Sequence, residues 1–213
     1  MHPDWQNKQQ QYCELHSDEE PLVLRELTTY TWKKTINPRQ LSGHLQGRLL
    51  ALLVALQNPK NMLEIGSFTG YSTYCLWENA AKDCHFISIE ADAEIAYKRD
   101  QFWKNHELWS QIEWRTADGL SEMDELPKQD IIFIDADKNR YKEYFIKGLQ
   151  LLKSNGIMIF DNTLWSGKVL EKAASKDKDT KLMQEFNQFI AQEQKASVTL
   201  LPIRDGLSII RKH

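Results

Sequence analysis

A chain of 213 residues with 27 basic and 30 acidic side chains, formal net charge −3, has room for one α/β domain with a few additions and exerts no broad pull on nucleic acid or anionic lipid. No stretch is apolar over the length of a bilayer span, and the start, MHPDWQNKQQQYCELHSDEE, lacks the apolar centre of a signal peptide, so the expected setting is the cytoplasm and the expected partner a small molecule, not a membrane or nucleic acid. Cys13, Cys75 and Cys84 are odd in number and lack metal-type spacing, which reads as reduced thiols.

Residues 1–20 carry no motif. PLVLRELTTYTWKK (21–34) and GRLLALLVALQN (47–58) have helical length and spacing, the second closed by Pro59, because a residue before proline avoids the helical region. From there, short apolar runs alternate with helix-period segments. NMLEIG (61–66), HFISIE (85–90), IEWRTA (112–117), DIIFIDA (130–136) and GIMIFDN (156–162) read as strands. YSTYCLWENAAK (71–82), DAEIAYKRDQFWKNHELW (92–109) and YKEYFIKGLQLLKSNG (141–156) read as helices. Repeated βα units imply a mainly parallel sheet with helices on both faces. EKAASKDKDTK (171–181) reads as a solvated helix start or loop, and SVTLL (197–201) and LSIIRK (207–212), separated by PIRDG, read as an antiparallel hairpin at the sheet edge.

Ligands of such sheets bind at the carboxyl ends of the strands. The first strand ends in LEIGSFTGYS, with Gly66 and Gly70 around a turn. Phe68 stands where a dinucleotide loop needs glycine, and Tyr71 where a phosphate loop needs lysine, so the loop admits a ligand against its backbone without demanding phosphates. A plain tight turn explains it as readily. Glu90 ends the second strand, where an acid accepts ribose hydroxyls or caps the next helix. Asp118 follows the third strand, where an adenine is held or an Asx turn precedes Gly119.

The fourth strand, buried on both faces by its pattern, stops abruptly at Asp135, Asp137 and Lys138. Asp161 ends the fifth, followed by Asn162. Two carboxylates and an amide at neighbouring strand ends suit a hard divalent cation, Mg2+ first, with Mn2+ or Ca2+ also open. A cap or turn explains each residue singly; their joint occurrence is harder to dismiss.

LEIGSFTGYS, FIDADKNRY, DNTLWSGKVL and LPIRDGLSIIRK together resemble the cation-dependent, S-adenosylmethionine-dependent O-methyltransferases of the caffeoyl-CoA and catechol type. The resemblance implies a class I methyltransferase (Rossmann-like) fold: a seven-stranded, mainly parallel sheet with an antiparallel C-terminal hairpin, in a single domain over 1–213. It implies a homodimer, and residues 1–58 as a helical extension contributing to the acceptor pocket. It matches Glu64, Gly66 and Ser72 to the cofactor loop and Glu90 to the ribose acid; Asp118 and Asp135, read from their places after the third and fourth strands, complete the cofactor-side candidates. It matches Asp135, Asp161 and Asn162 to metal ligands and Lys138 to the catalytic base. Where many bacterial relatives have a Glu-Gln-Gly-Gln stretch, this chain has HLQGRL, with Gln46 and Arg48 at two of those places.

The expected reaction is methyl transfer from S-adenosylmethionine to a hydroxyl of a catechol-like phenolic acceptor. A phenol ionises only near pH ~10, so the acceptor needs help to become a nucleophile. Lys138 serves as base if its pKa is depressed, and as an electrostatic partner of the phenolate if it stays charged. Trp165 reads as an aromatic wall over a flat acceptor, or equally as a core or dimer-contact residue. Two other readings are an adenine-specific nucleic-acid methyltransferase, which needs an Asn/Asp-Pro-Pro-aromatic stretch and a basic face, and a non-catalytic nucleoside-binding or dimerisation module. The latter has no use for Asp135, Asp161, Asn162 and Lys138 together.

Overall fold

The computed structural model describes residues 5–213. Its seven strands are β1 (Asn61–Ile65), β2 (His85–Glu90), β3 (Ile112–Thr116), β4 (Gln129–Ile134), β5 (Leu152–Phe160), β6 (Ala196–Leu201) and β7 (Leu207–Lys212). They form one sheet in the order β3-β2-β1-β4-β5-β7-β6. β1 to β5 pair in parallel, while β7 runs antiparallel between β5 and β6. This is the expected class I methyltransferase architecture.

The alternation of side chains along each strand fills two cores. On one face Met62, Phe86, Ile131, Phe133 and Ile159 pack with Leu24 and Leu27 of α2 (Leu22–Lys34), Leu50 and Val54 of α3 (His44–Gln57), Tyr71 of α4 (Tyr71–Trp77) and Trp103 of α5 (Ala93–Trp103). On the other, Leu63, Ile65, Ile132, Ile134, Met158 and Phe160 meet Leu120 of α6 (Gly119–Glu122), Tyr144 and Phe145 of α7 (Tyr141–Leu151), and Met183 and Phe186 of α8 (Lys178–Ala191). Both faces of β4 are therefore covered, which is why Ile131–Ile134 is an unbroken apolar run.

Register positions the site. Ile65 lies opposite Ile89 and Ile134, and Ile134 opposite Phe160. The residues that follow, Gly66, Glu90, Asp135 and Asp161, therefore emerge side by side at one edge of the sheet.

Several elements differ from expectation. A helix, α1 (Trp5–Leu15), occupies the motif-free start. The helix expected over 71–82 stops at Trp77. That expected over 92–109 stops at Trp103, whose wholly buried indole donates to the Thr69 carbonyl (2.8 Å); a 3-10 turn, Glu107–Gln111, follows. The helix expected over 141–156 ends at Leu151 because Leu152 already pairs with Gln129, and Asn155, with φ +64°, cannot continue a right-handed helix. The charged stretch turns into α8 at Asp177, whose carboxylate accepts from Thr180 N (3.1 Å). The three cysteines are unpaired. Among the described residues no helix is long and apolar enough to cross a membrane.

Candidate active site

A cleft of about 1390 Å³ opens at the carboxyl edge of the sheet. It is lined from below by Gly66, Phe68, Glu90, Asp118, Asp135, Lys138, Asp161, Asn162 and Trp165, and from the helical N-terminal part by Trp32, Ile36, Arg39 and Gln46. Glu64 and Ser72 lie outside this lining, Ser72 bordering only a small adjoining crevice.

The cofactor-loop side is built from internal bonds. Gly66 has φ +94°, and a Cβ there would lie 1.9 Å from the Asp135 carbonyl oxygen, so only glycine lets the ends of β1 and β4 meet. Glu64 is fully buried and accepts from Ser72 Oγ (2.6 Å), Thr73 Oγ1 (2.5 Å) and Ser88 Oγ (2.6 Å). Burial pushes its pKa up, against those three hydroxyls and the Arg99 charge. Glu64 and Ser72 thus tie β1, β2 and α4 together beneath the loop. Phe68 adopts φ +50°, unusual for a bulky residue. Its N–H donates to the Glu90 carboxylate (2.8 Å), whose other oxygen accepts from Asp92 N (3.0 Å). Each of those oxygens keeps a second lone pair for a ligand hydroxyl.

Asp118 makes the Asx-type contacts: it caps α6 by accepting from Ser121 N and Oγ (3.0 Å each). It also pairs with Arg140, which, followed by the Ser121 N–H, holds its carboxyl well below the usual range. Arg99 was not singled out by the sequence. It is 1 % exposed, donates to Ser67 Oγ (3.0 Å), pairs with Asp100 and lies 4.6 Å from the Trp114 ring centre. A charged residue midway along an ordinary helix gives no signal that it faces inward.

The other side of the cleft gathers the acids. Lys138 Nζ donates to Asp135 Oδ1 (2.5 Å). Burial opposes the lysine's charge, but Tyr141 and Asp135 outweigh it and hold Lys138 above its ordinary pKa. Asp161 is 3 % exposed; its Oδ2 accepts from Gln46 Nε2 and its Oδ1 from Asn162 N, both 2.6 Å. Burial first, and then the Asp135 charge, push Asp161 up to about 6. Gln46, buried on α3, is a second residue that the candidate set lacked; its place within HLQGRL, the segment that stands where bacterial relatives have Glu-Gln-Gly-Gln, was the available signal. Asn162 and Trp165 take left-handed backbone conformations (φ +58° and +49°) in a segment strapped to the β6–β7 turn, with Thr163 N on Gly206 O (3.0 Å) and Leu164 N on Asp205 O (2.7 Å).

Two carboxylates at neighbouring strand ends, beside an amide and with no sulfur or imidazole, fit a hard divalent cation. Among the described residues no group of three or more His, Cys, Asp or Glu gathers as a metal site; a cation held by two carboxylates and an amide would need further ligands from water or acceptor.

The sequence profile of the O-methyltransferase family matches residues 14–213. The chain belongs to the O-methyltransferase family. A mouse (Mus musculus) catechol O-methyltransferase domain-containing protein 1 is 31 % identical over 216 residues, covering 99 % of this chain and 82 % of that protein. The caffeoyl-CoA O-methyltransferase of Medicago sativa is 30 % identical over 204 residues, covering 89 % and 81 %. The O-methyltransferase of Bacillus cereus, whose structure was solved in complex with SAH, superposes with a TM-score of 0.82 at 26 % identity over 97 % of each chain. Within this O-methyltransferase, Gly66, Glu90, Asp135 and Asp161 stand in a row where four parallel strands end.

Proposed function

We propose that the enzyme transfers a methyl group from S-adenosylmethionine to a hydroxyl of a small catechol-like acceptor, with a divalent cation, magnesium first, held by Asp135, Asp161 and Asn162. The observation that carries this reading is the meeting of two carboxylates, an amide and Lys138 in one cleft with the glycine loop. S-adenosylmethionine supplies the electrophilic methyl group, and a divalent cation supplies charge that favours ionised acceptor oxygens.

The chain's own residues do the rest. The Gly66–Phe68 backbone receives the donor, and Glu90 takes the ribose hydroxyls on its remaining lone pairs. Asp118, anchored by Arg140, borders the adenine side. Gln46 and the Asn162 N–H fix the orientation of Asp161. Lys138 lies against the acceptor hydroxyl; held as an ammonium by Asp135, it stabilises the phenolate, and it serves as base only when the Asp135 charge is engaged elsewhere and Nζ has first released a proton to solvent, so that the neutral amine accepts the hydroxyl proton. Trp165 forms a wall for a flat ring. The working form is a cytoplasmic homodimer, an assembly that light scattering tests.

The experiment is transfer of labelled methyl to a catechol and to a monophenol of the same shape, with magnesium and with chelator. Chelation by a vicinal diol requires much faster catechol turnover and loss of activity in chelator. Equal rates on both acceptors would refute chelation, and full turnover in chelator would remove the cation.

A further inference from the structure

Phe68 is the strained point of the glycine loop, a bulky residue at φ +50°. Such a conformation persists only where its surroundings over-determine it. Its own N–H is held by the Glu90 carboxylate (2.8 Å). Both of its neighbours are held from α5. Arg99 Nη1 donates to Ser67 Oγ (3.0 Å), and Trp103 Nε1 donates to the Thr69 carbonyl (2.8 Å). Four positions apart, Arg99 and Trp103 share one face of that helix. The same helix begins beside Glu90, whose second carboxylate oxygen accepts from the N–H of its N-cap, Asp92 (3.0 Å).

The inward course of Arg99 needs a cause, since burying a charge is costly. Its acid does not supply one. Asp100 is the next residue of α5, with its side chain 37 % exposed, and an arginine can meet it at the surface. What the interior offers is the Ser67 hydroxyl and the face of Trp114, whose ring centre lies 4.6 Å from the guanidinium carbon. Nε and Nη2 stay on Asp100 Oδ1 (3.0 Å each) while Nη1 reaches Ser67, so one planar fork ties helix to loop.

Ser67 passes the restraint on. Its N–H donates to the Ile89 carbonyl (3.1 Å), and its own carbonyl accepts from Gly70 N (2.8 Å). With Ser67 fixed at backbone and side chain and Thr69 fixed by Trp103, little freedom is left for Phe68 to turn its N–H away from Glu90. Arg99 itself lies outside the cleft lining, so whatever it does for a ligand it does through Ser67.

We propose that Arg99 is a positioning residue of the donor site: by gripping Ser67, with Trp103 gripping Thr69, it keeps the Phe68 N–H on Glu90 and so keeps that carboxylate aimed at the ribose hydroxyls. This assignment rests on the S-adenosylmethionine reading above and adds to it a residue that acts from beneath the loop.

The test is calorimetric binding of S-adenosylhomocysteine and of an analogue lacking both ribose hydroxyls. The wild type should favour the natural ligand, and the ratio of the two affinities reads the aim of Glu90. Arg99→Lys keeps a cation but cannot bond Ser67 and Asp100 together; it should lower that ratio by about tenfold, the scale of a charged hydrogen bond, with the analogue bound nearly as before. Ser67→Ala removes the acceptor with little change of volume and should lower the ratio in the same direction, which keeps the test in force if the lysine variant fails to fold. The two changes together should cost about as much as either alone, since they break one contact. Equal weakening of both ligands, with the ratio unchanged, means that Arg99 only stabilises the fold and overturns the assignment while the cofactor reading stands. A wild type that binds both ligands equally overturns the assignment through Glu90. A wild type that binds neither overturns the cofactor reading and the assignment with it.

Discussion

The two halves of the cleft are finished to different degrees. On the glycine-loop side, Glu64, Ser72, Thr73, Ser88, Arg99 and Ser67 satisfy one another inside the protein, and Glu90 already grips the Phe68 N–H. On the acceptor side, Asp161 is forced toward its protonated form, and two large apolar side chains, Trp32 and Ile36, face the opening. The first half is preorganised to receive one kind of ligand with little rearrangement. The second holds charge and apolar surface that the proposed cation and acceptor would match. Preorganised groups lower the cost of binding, whereas unmatched ones make the free site a source of selectivity.

The comparison breaks most sharply at Asp161. Asp161→Ala should reduce methyl transfer to background while the circular dichroism spectrum and S-adenosylhomocysteine binding persist. A variant that loses both together would mean that the halves are not separable. Next in size, Lys138→Met should lower kcat by about 10²–10⁴-fold, the scale of general-base catalysis, with cofactor affinity little changed. Raising the pH should return part of that rate, since more acceptor ionises unaided. Near-normal turnover would restrict the role of the loop to Asp135.

Glu90→Ala probes the finished half. Removal of a charged hydrogen-bond acceptor should weaken S-adenosylhomocysteine binding by about 1–3 kcal/mol, read by calorimetry, and leave the preference for catechol over monophenol in place. A change in that preference would show that the halves communicate. The smallest effect is expected from Gln46→Leu, which takes one donor from Asp161 without touching the cofactor loop. Manganese affinity, followed by electron paramagnetic resonance, should fall about tenfold, the lower end of the scale for groups that orient metal ligands. Unaltered affinity would make the Gln46 contact incidental.

Much of the fold was legible because strand signals are local. Ile131–Ile134 and Ile157–Phe160 are apolar whichever neighbours cover them, and the first charge after each run marks where a strand leaves the core. The same logic located Gly66, Glu90, Asp135 and Asp161, since ligands gather where parallel strands end. Segment ends were less legible: KSNG, in 153–156, has the composition of a helix tail, yet strand pairing with β4 decides its shape.

By itself, then, the sequence determined the parallel sheet with its antiparallel hairpin and the short list of groups at its carboxyl edge. Both follow from side-chain period and from charges a core rejects. Only the tertiary structure decided what those groups bond to. Gln46 meets Asp161 across 115 positions of chain, and Arg204 reaches Leu41 across 163. Glu64, which reads as a cofactor residue, is sealed beneath the loop by three hydroxyls. Hydrophobic period records that a residue is buried, while the partner it finds there depends on strand register and on which distant helix closes over it.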